Sequence, residues 1–374
     1  MSTCKGAWKL QDVRDQILAG EWIQYNADTD PGTLWVWGGN DDGQLGDSTT
    51  VSKSSPIQIP GTSWRCISDM CENSIARKTD GTLWTWGTNN RGQLGDNATA
   101  KQSSPIQVPG TSWNDICASY SRSLATKTDG TFWTWGLNDS GQLGDSTTIN
   151  RSSPVQIPGT AWNVISSGGY HTLAIKTDGT LWTWGRNSSG QLGDNTTANK
   201  SSPIQIPGNQ WNDINSGSAN SLARKTDGTL WAWGANGNAQ LGDDTIILKS
   251  SPIQIPGTQW NDIDGGGFHV LARKTDGTLW SWGFNGSGPL GVNDTIHRSS
   301  PVQIPGTAWN VISGARCTSA ARKTDGTLWT WGNNSNGQLG DNTSAIPKSS
   351  PIQIPGTAWN DIATGSCHTL ARKA

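Results

Sequence analysis

Apolar and polar positions along this chain follow one pattern, written seven times. Trp35, Trp84, Trp133, Trp182, Trp231, Trp280 and Trp329 stand 49 residues apart. Each lies in a segment close to T-D-G-T-L-W-T-W-G, where side chains alternate between two faces. A polar G-Q-L-G-D stretch follows, then S-S-P-I-Q-I closed by Pro-Gly, then a short run opening on W-N-D-I. A self-similar period of this length marks a propeller, a solenoid or an array.

The pattern predicts strands only. Asp-Gly between alternating runs is the strongest short hairpin signal, and it recurs at Asp80-Gly81, Asp129-Gly130, Asp178-Gly179, Asp227-Gly228, Asp276-Gly277 and Asp325-Gly326. Glycine tolerates the positive φ expected of a two-residue primed turn there. In one unit the strands read His171 to Lys176, Thr180 to Trp184, Pro203 to Ile206 and Trp211 to Ile214. Four short strands per unit without helical periodicity describe a propeller blade. Trp35 and Trp37 fall on one face of their strand and Leu34 and Val36 on the other. Neither face is polar, as suits a blade packed between neighbours.

The fold expected is therefore all-β: a seven-bladed propeller of four-stranded blades over 32–374, preceded by residues 1–31. The chain ends on Trp359 to Ile362 and His368 to Lys373, the half-unit that elsewhere precedes an Asp-Gly turn. The first tryptophan strand, from Gly32, lacks such an upstream partner. Pairing the two builds one blade from both termini and removes the open sheet edges. In the first 31 residues, Leu10, Val13 and Ile17 share one face of a short predicted helix over Ala7 to Leu18 that stops at Gly20. This helix would cap the propeller or anchor it to a larger assembly.

Composition narrows the partners. Of 374 residues only 15% are charged, the net charge is −2, and no cluster of Lys and Arg exists to displace counterions. That argues against nucleic acid and anionic membrane. No stretch is long or apolar enough for a membrane helix, and the N-terminus lacks the apolar run of a secretory signal. The six cysteines ignore the repeat, so reduced thiols are expected rather than a disulfide framework.

Combined, the strand ending in Trp-Gly, the Asn-x-x-Gly-Gln-Leu-Gly segment and the Gly-x-x-His before the next strand resemble the RCC1 repeat family (regulator of chromosome condensation type). Gly168, His171, Trp182, Gly185 and Gly190-Gln191-Leu192-Gly193 form the copy nearest that pattern. The resemblance spans 32–374 and implies a seven-bladed propeller. Ala239-Gln240-Leu241-Gly242 and Gly288-Pro289-Leu290-Gly291-Val292 depart from it, which points to remodelled loops. Family members include a nucleotide-exchange factor on chromatin, β-lactamase-inhibiting propellers and phage proteins. The resemblance therefore implies a binding platform and not a reaction. The short, nearly identical units look more like propellers carried on bacteriophage particles.

No Walker loop, dinucleotide fingerprint, zinc-protease helix or nucleophile elbow is present. Of the four histidines, His171, His269 and His368 share a slot filled elsewhere by Asn73, Arg122, Asn220 and Thr318. A slot that alternates this freely is no catalytic base. No catalytic residue, metal site or cofactor is expected. Asp47, Asp96, Asp145, Asp194, Asp243 and Asp341 read as turn residues accepting backbone N–H bonds, with calcium the other reading. The lysines two residues before each Asp of the Asp-Gly turns read as local neutralisers, with anion capture as the alternative.

Copies differ most just before the first hairpin strand and just after Trp-Gly. Both sites fall at the open end of the hairpin, hence on one rim of the ring. That rim gathers Tyr120, Arg122, Leu137, Tyr170, His171, Arg186, Phe268, His269, Phe284 and Arg316. Aromatics and Arg are what protein-binding hot spots favour. The reading is a non-enzymatic module, placed first on a phage virion (tail, fibre or adaptor, capsid decoration), engaging other virion proteins or a host surface receptor. A virion location, or otherwise the cytoplasm, goes with it. Two other readings stay open: an intracellular RCC1-type regulator that docks a protein partner, and a lectin stacking sugars on its tryptophans.

Overall fold

The structure, a computed structural model, describes residues 32–69, 73–119 and 121–373. Every element in it is a strand. A representative blade runs outward as Trp162–Ser167, His171–Lys176, Leu181–Gly185 and Lys200–Ile206, each antiparallel to the next. Five such four-stranded sheets stand alone. A seven-stranded sheet supplies the other two blades, because the long strand Lys53–Asp69 ends one blade and begins the next.

The composite blade is present as the sequence predicts. Trp359–Thr364 and His368–Lys373 from the C-terminus pair with Gly32–Gly38, which pairs in turn with the first part of Lys53–Asp69. Its register sets Trp35 opposite Ala371 and Gly38 opposite His368. Counting this as the closing blade, the others follow in chain order as blades one to six. The innermost strands contact one another in an unbroken circle, the last touching the first. They enclose an axial channel lined by Ser68, Asp115, Ser166, Asn215, Asp264 and Ser313, among others.

Between blades the core is tryptophan-based. In blade three, Trp184 is fully buried, Trp162 is nearly so, and their centroids lie 6.0 Å apart. Trp182 stays half-buried, and its indole N–H is bound to Thr180 at 3.0 Å. Edge-to-face pairs of this kind contribute about 0.5–1.5 kcal/mol beyond area burial.

The hairpin turn differs from the primed two-residue type. Gly81 N donates to Lys78 O at 3.1 Å and Lys78 N to Thr82 O at 3.0 Å. Gly81 has φ +79°, while Asp80 is not among the residues of positive φ. This is a three-residue loop, a type I turn closed by a left-handed Gly. Asp80 serves it by accepting the Thr82 amide at 2.9 Å and hydroxyl at 2.7 Å.

The lysines before these turns favour the charged form of the turn Asp, as read from the sequence, and also do something more. Lys176 Nζ sits 4.7 Å from the Trp162 ring centroid and 4.6 Å from that of Trp182. Equivalent lysines repeat this around the ring, and Lys373 closes it over Trp35 and Trp359. Each cation occupies indole faces that a sugar would need. The predicted helix carrying Leu10, Val13 and Ile17 lies outside the described residues. Cys66 is disulfide-bonded, which corrects the expectation of reduced thiols there.

Candidate functional site

The segment after each Trp-Gly carries the open rim, and a buried Asn shapes it. Asn187 Oδ1 accepts the Leu192 amide at 2.9 Å, while its Nδ2 donates to Asp194 at 2.9 Å and to the Thr196 carbonyl at 3.1 Å. Asp194 in turn accepts the Thr196 amide and hydroxyl and lies 3.7 Å from Lys200. Burial opposes its ionisation, but the Thr196, Asn187 and Lys200 contacts hold its carboxyl below the usual range. The backbone N–H bond of the turn reading is present at Asp194, and side-chain contacts to Asn187, Thr196 and Lys200 add to it. Where Val292 replaces the Asp, Asp294 takes over, accepting from Asn285 at 3.0 Å and pairing with Arg298.

Each of these loops then clasps the next blade. Asn195 N donates to Ser250 O at 2.9 Å and Asp244 N to Ser299 O at 2.8 Å; Asn342 N donates to Ser54 O at 3.1 Å and closes the circle. The Gln of G-Q-L-G adds a second clasp. Gln142 O accepts Thr172 Oγ1 at 2.9 Å and Trp184 Nε1 at 3.1 Å, both from the following blade.

The rim residues predicted from sequence divide into two sets. His171 and His269 are fully buried, Arg122 is 1% exposed and Leu137 9% exposed, so these four belong to the blade junctions and offer no side chain to a partner. His171 Nε2 meets Ser221 Oγ of the next blade at 2.9 Å, and His269 meets Ser319 at 2.7 Å. Ser221 already donates to Gln191 O at 2.7 Å. Its oxygen therefore accepts, which puts the imidazole proton on Nε2. Burial pulls both imidazoles down to about 3, with the Arg122 cation adding to the effect at His171. They are neutral staples.

Arg122 fills the same slot differently. Its guanidinium donates to the carbonyls of Gly168 at 2.9 Å, Gly169 at 3.3 Å and His171. Burial drags its pKa down to about 9. Tyr120 lies outside the described residues.

The second set does reach the surface. Tyr170 is half-buried with exposed Arg186 over its ring at 5.6 Å. Phe268 and Phe284 are half-buried, 6.4 Å apart, with exposed Arg316 over Phe268 at 6.0 Å. Phe284 also packs on exposed His297 at 4.9 Å. The sequence reading missed one feature of this rim, its exposed aliphatics: Val51, Ile149, Ile246, Ile247, Leu248, Ile296 and Ile346. Their position after the turn Asp was a usable signal, since polar loops rarely place isoleucine in water without use.

The Asp-Gly rim repeats with little change, and among the described residues no group of His, Cys, Asp and Glu is arranged to hold a metal. Nor is any helix there long and apolar enough to cross a membrane.

Comparison with known proteins agrees with this architecture. The chain matches the RCC1-like domain over residues 5–256 and the regulator of chromosome condensation (RCC1) repeat over 276–320 and 325–372. No curated protein matches it at the sequence level. Among solved structures it resembles Prp20p from Saccharomyces cerevisiae, described with its binding to Gsp1p and histones. The TM-score is 0.83 at 19% identity, covering 92% of each chain. The yeast RCC1 (Prp20) bound to Kap60 gives 0.82 at 19% identity, covering 92% of this chain and 89% of that one. Human WBSCR16 gives 0.81 at 20% identity over 91% and 100%. Identity this low carries the fold alone, but the family match covers well over half the sequence, and the chain belongs to the RCC1-like family of β-propellers.

Proposed function

We propose that this chain is a non-enzymatic propeller that docks a protein partner on its open rim, as a regulator of RCC1 type. One observation carries the reading: seven near-identical blades present a repetitive turn rim on one side and, on the other, a unique set of half-buried aromatics with exposed arginines. Such groups anchor interfaces because they bury large area and lose little entropy. The relatives' printed partners, Gsp1p, histones and Kap60, are proteins, which supports the class of partner and not its identity. The virion role expected from the style of repeat draws no support from these relatives. The lysines over the tryptophan rings also weigh against sugar stacking.

Cross-linking mass spectrometry in the native source tests the proposal. Cross-links from partners should fall on the loops around Tyr170, Arg186 and Phe284. Cross-links confined to the Asp-Gly turns would refute it.

A further inference from the structure

Departures from the repeat cluster in one sector of the open rim. The loop of blade four reads Ile246-Ile247-Leu248, where the preceding loop has Thr197-Ala198-Asn199. All three are more than half exposed, at 69%, 63% and 51%. Two residues upstream, Asp244 N binds Ser299 O of blade five at 2.8 Å, and Asp244 Oδ1 accepts the Ser299 hydroxyl at 2.9 Å. That clasp ties the aliphatic loop to the strand that Ile296 and His297 immediately precede. His297 packs on Phe284, Phe284 on Phe268, and Arg316 of blade six lies over Phe268. An apolar strip therefore runs across three blades and ends on a guanidinium. Among the described residues Arg316 is exposed and makes no ion pair.

We infer that this strip, from Ile246 to Arg316, is the docking site on the rim, and that it takes an apolar protein segment bearing a carboxylate. The inference rests on the protein-binding reading above. Three consecutive aliphatic side chains more than half exposed to water are costly unless something covers them. The guanidinium at its end, stacked on Phe268 and without an ion pair among the described residues, fixes the sign of the occupant's charge, because it is suited to bidentate contact with a carboxylate. The Tyr170–Arg186 pair sits apart, on blade three, without the aliphatic loop.

The test uses the full chain and a displayed library of random 12-residue peptides. A loop variant, Ile246→Thr, Ile247→Ala and Leu248→Asn, is the counter-target. It copies the preceding loop, so its fold is already precedented within the molecule, and its melt should match the wild type. The selected pool should carry aliphatic or aromatic residues next to Asp or Glu. Its binding should weaken by at least about tenfold, roughly 1.4 kcal/mol, on the loop variant and on Arg316→Gln. Replacing the peptide carboxylates by amides should remove the Arg316 effect.

Peptides that bind the loop variant equally well, a pool rich in Lys and Arg, or no enrichment at all would overturn the assignment. So would a wild-type dimer in sedimentation that the loop variant dissolves, since the occupant would then be a second copy. Binding lost on Tyr170→Ala and Arg186→Ala instead would move the site while leaving the open-rim reading intact. Peptides that cross-link to the Asp-Gly turns would sink both.

Discussion

The indole N–H of Trp37 donates to the carbonyl of Gln338 at 2.9 Å, across 301 positions of sequence. Thr369 donates to the same oxygen at 2.9 Å. This is the bond pair that Trp184 and Thr172 make to Gln142 inside the ring. The seam between the termini is therefore built like the junction between blades two and three. Buried carbonyls need their donors, and here the last blade supplies one and the first strand the other.

Trp37→Phe should cost the same as Trp184→Phe. Each removes one indole donor and some ring volume, about 1–3 kcal/mol. Urea titrations of the two variants give the comparison. A seam held only loosely would make Trp37→Phe almost silent while Trp184→Phe remained costly. Deleting the chain from Trp359 onward should expose the edge of Gly32–Gly38 and cause aggregation.

Histidine burial makes stability depend on pH. The ordinary imidazole value is 6.5, and folding lowers His171 and His269 to about 3. Unfolded chains then bind more protons in that interval, so stability present above about 6.5 is lost as pH falls toward 3, at about 1.4 kcal/mol per pH unit for each histidine. Asp361 acts oppositely. Burial raises it from 3.8 to about 7 against the pull of Arg372 and Arg322, so its contribution grows as pH falls through 7. Replacing both histidines by Asn, the residue at the equivalent Asn73 and Asn220, should remove the acid loss between pH 6.5 and 4. The remaining slope should then take the sign of Asp361. An unchanged slope would show that these imidazoles do not fold in their neutral form.

Much of this was legible in the sequence, and the failures share a cause. Strand order, blade number and closure by both termini follow from the period, because the same unit must solve the same packing problem seven times. The histidine slot misled because difference between copies has two sources. One is recognition of a partner; the other is compensation between adjacent blades. His171, His269 and His368 each face a serine one blade on, namely Ser221, Ser319 and Ser74. Fifty positions after Asn220 stands Val270, which has no hydroxyl. Comparing each residue with its neighbour in the next unit, rather than with its equivalent, separates the two sources. The exposed aliphatic loop escaped notice because the other copies of the stretch from Ile246 to Leu248 carry at most one large aliphatic, as at Val51, Ile149 and Ile296, between polar neighbours.

Arg122 is the costly member of that slot. Its cation is 1% exposed and is held by hydrogen bonds to three carbonyls, with a weaker attraction to Asp139. Since burial lowers its pKa from 12.5 to about 9, it stays charged at neutral pH and the penalty is complete there. Arg122→His would restore the staple of the other units, because Thr172 already donates to Gln142 and presents its oxygen as Ser221 does. The variant should gain about 1–3 kcal/mol, read as a higher urea midpoint with unchanged m-value. A loss of stability would mean that the three carbonyl bonds outweigh the desolvation.

The final prediction uses the molecule's own variants of one cross-strand pair. Asp213 faces Arg224 in register, with an ion pair at 3.6 Å. The equivalent pair in blade three is Val164 and Ile175, and in blade six Val311 and Arg322. Arg322, with Val311 opposite it, donates to Trp359 O at 2.9 Å and lies near Asp361 of the next blade. Asp213→Val would leave Arg224 in that same arrangement, with Trp260 and Asp262 standing where Trp359 and Asp361 stand. It should cost little, within about 1 kcal/mol. Arg224→Ile has no such precedent. It strands a carboxylate whose side chain is 17% exposed, with Ile175 rather than a cation in the preceding blade, and should cost about 2–4 kcal/mol at pH 7. The double variant reproduces Val164 and Ile175 and should return close to wild type. A double-mutant cycle in urea measures the coupling. Equal costs for the two single changes would show that Arg224 cannot turn to the next blade as Arg322 does.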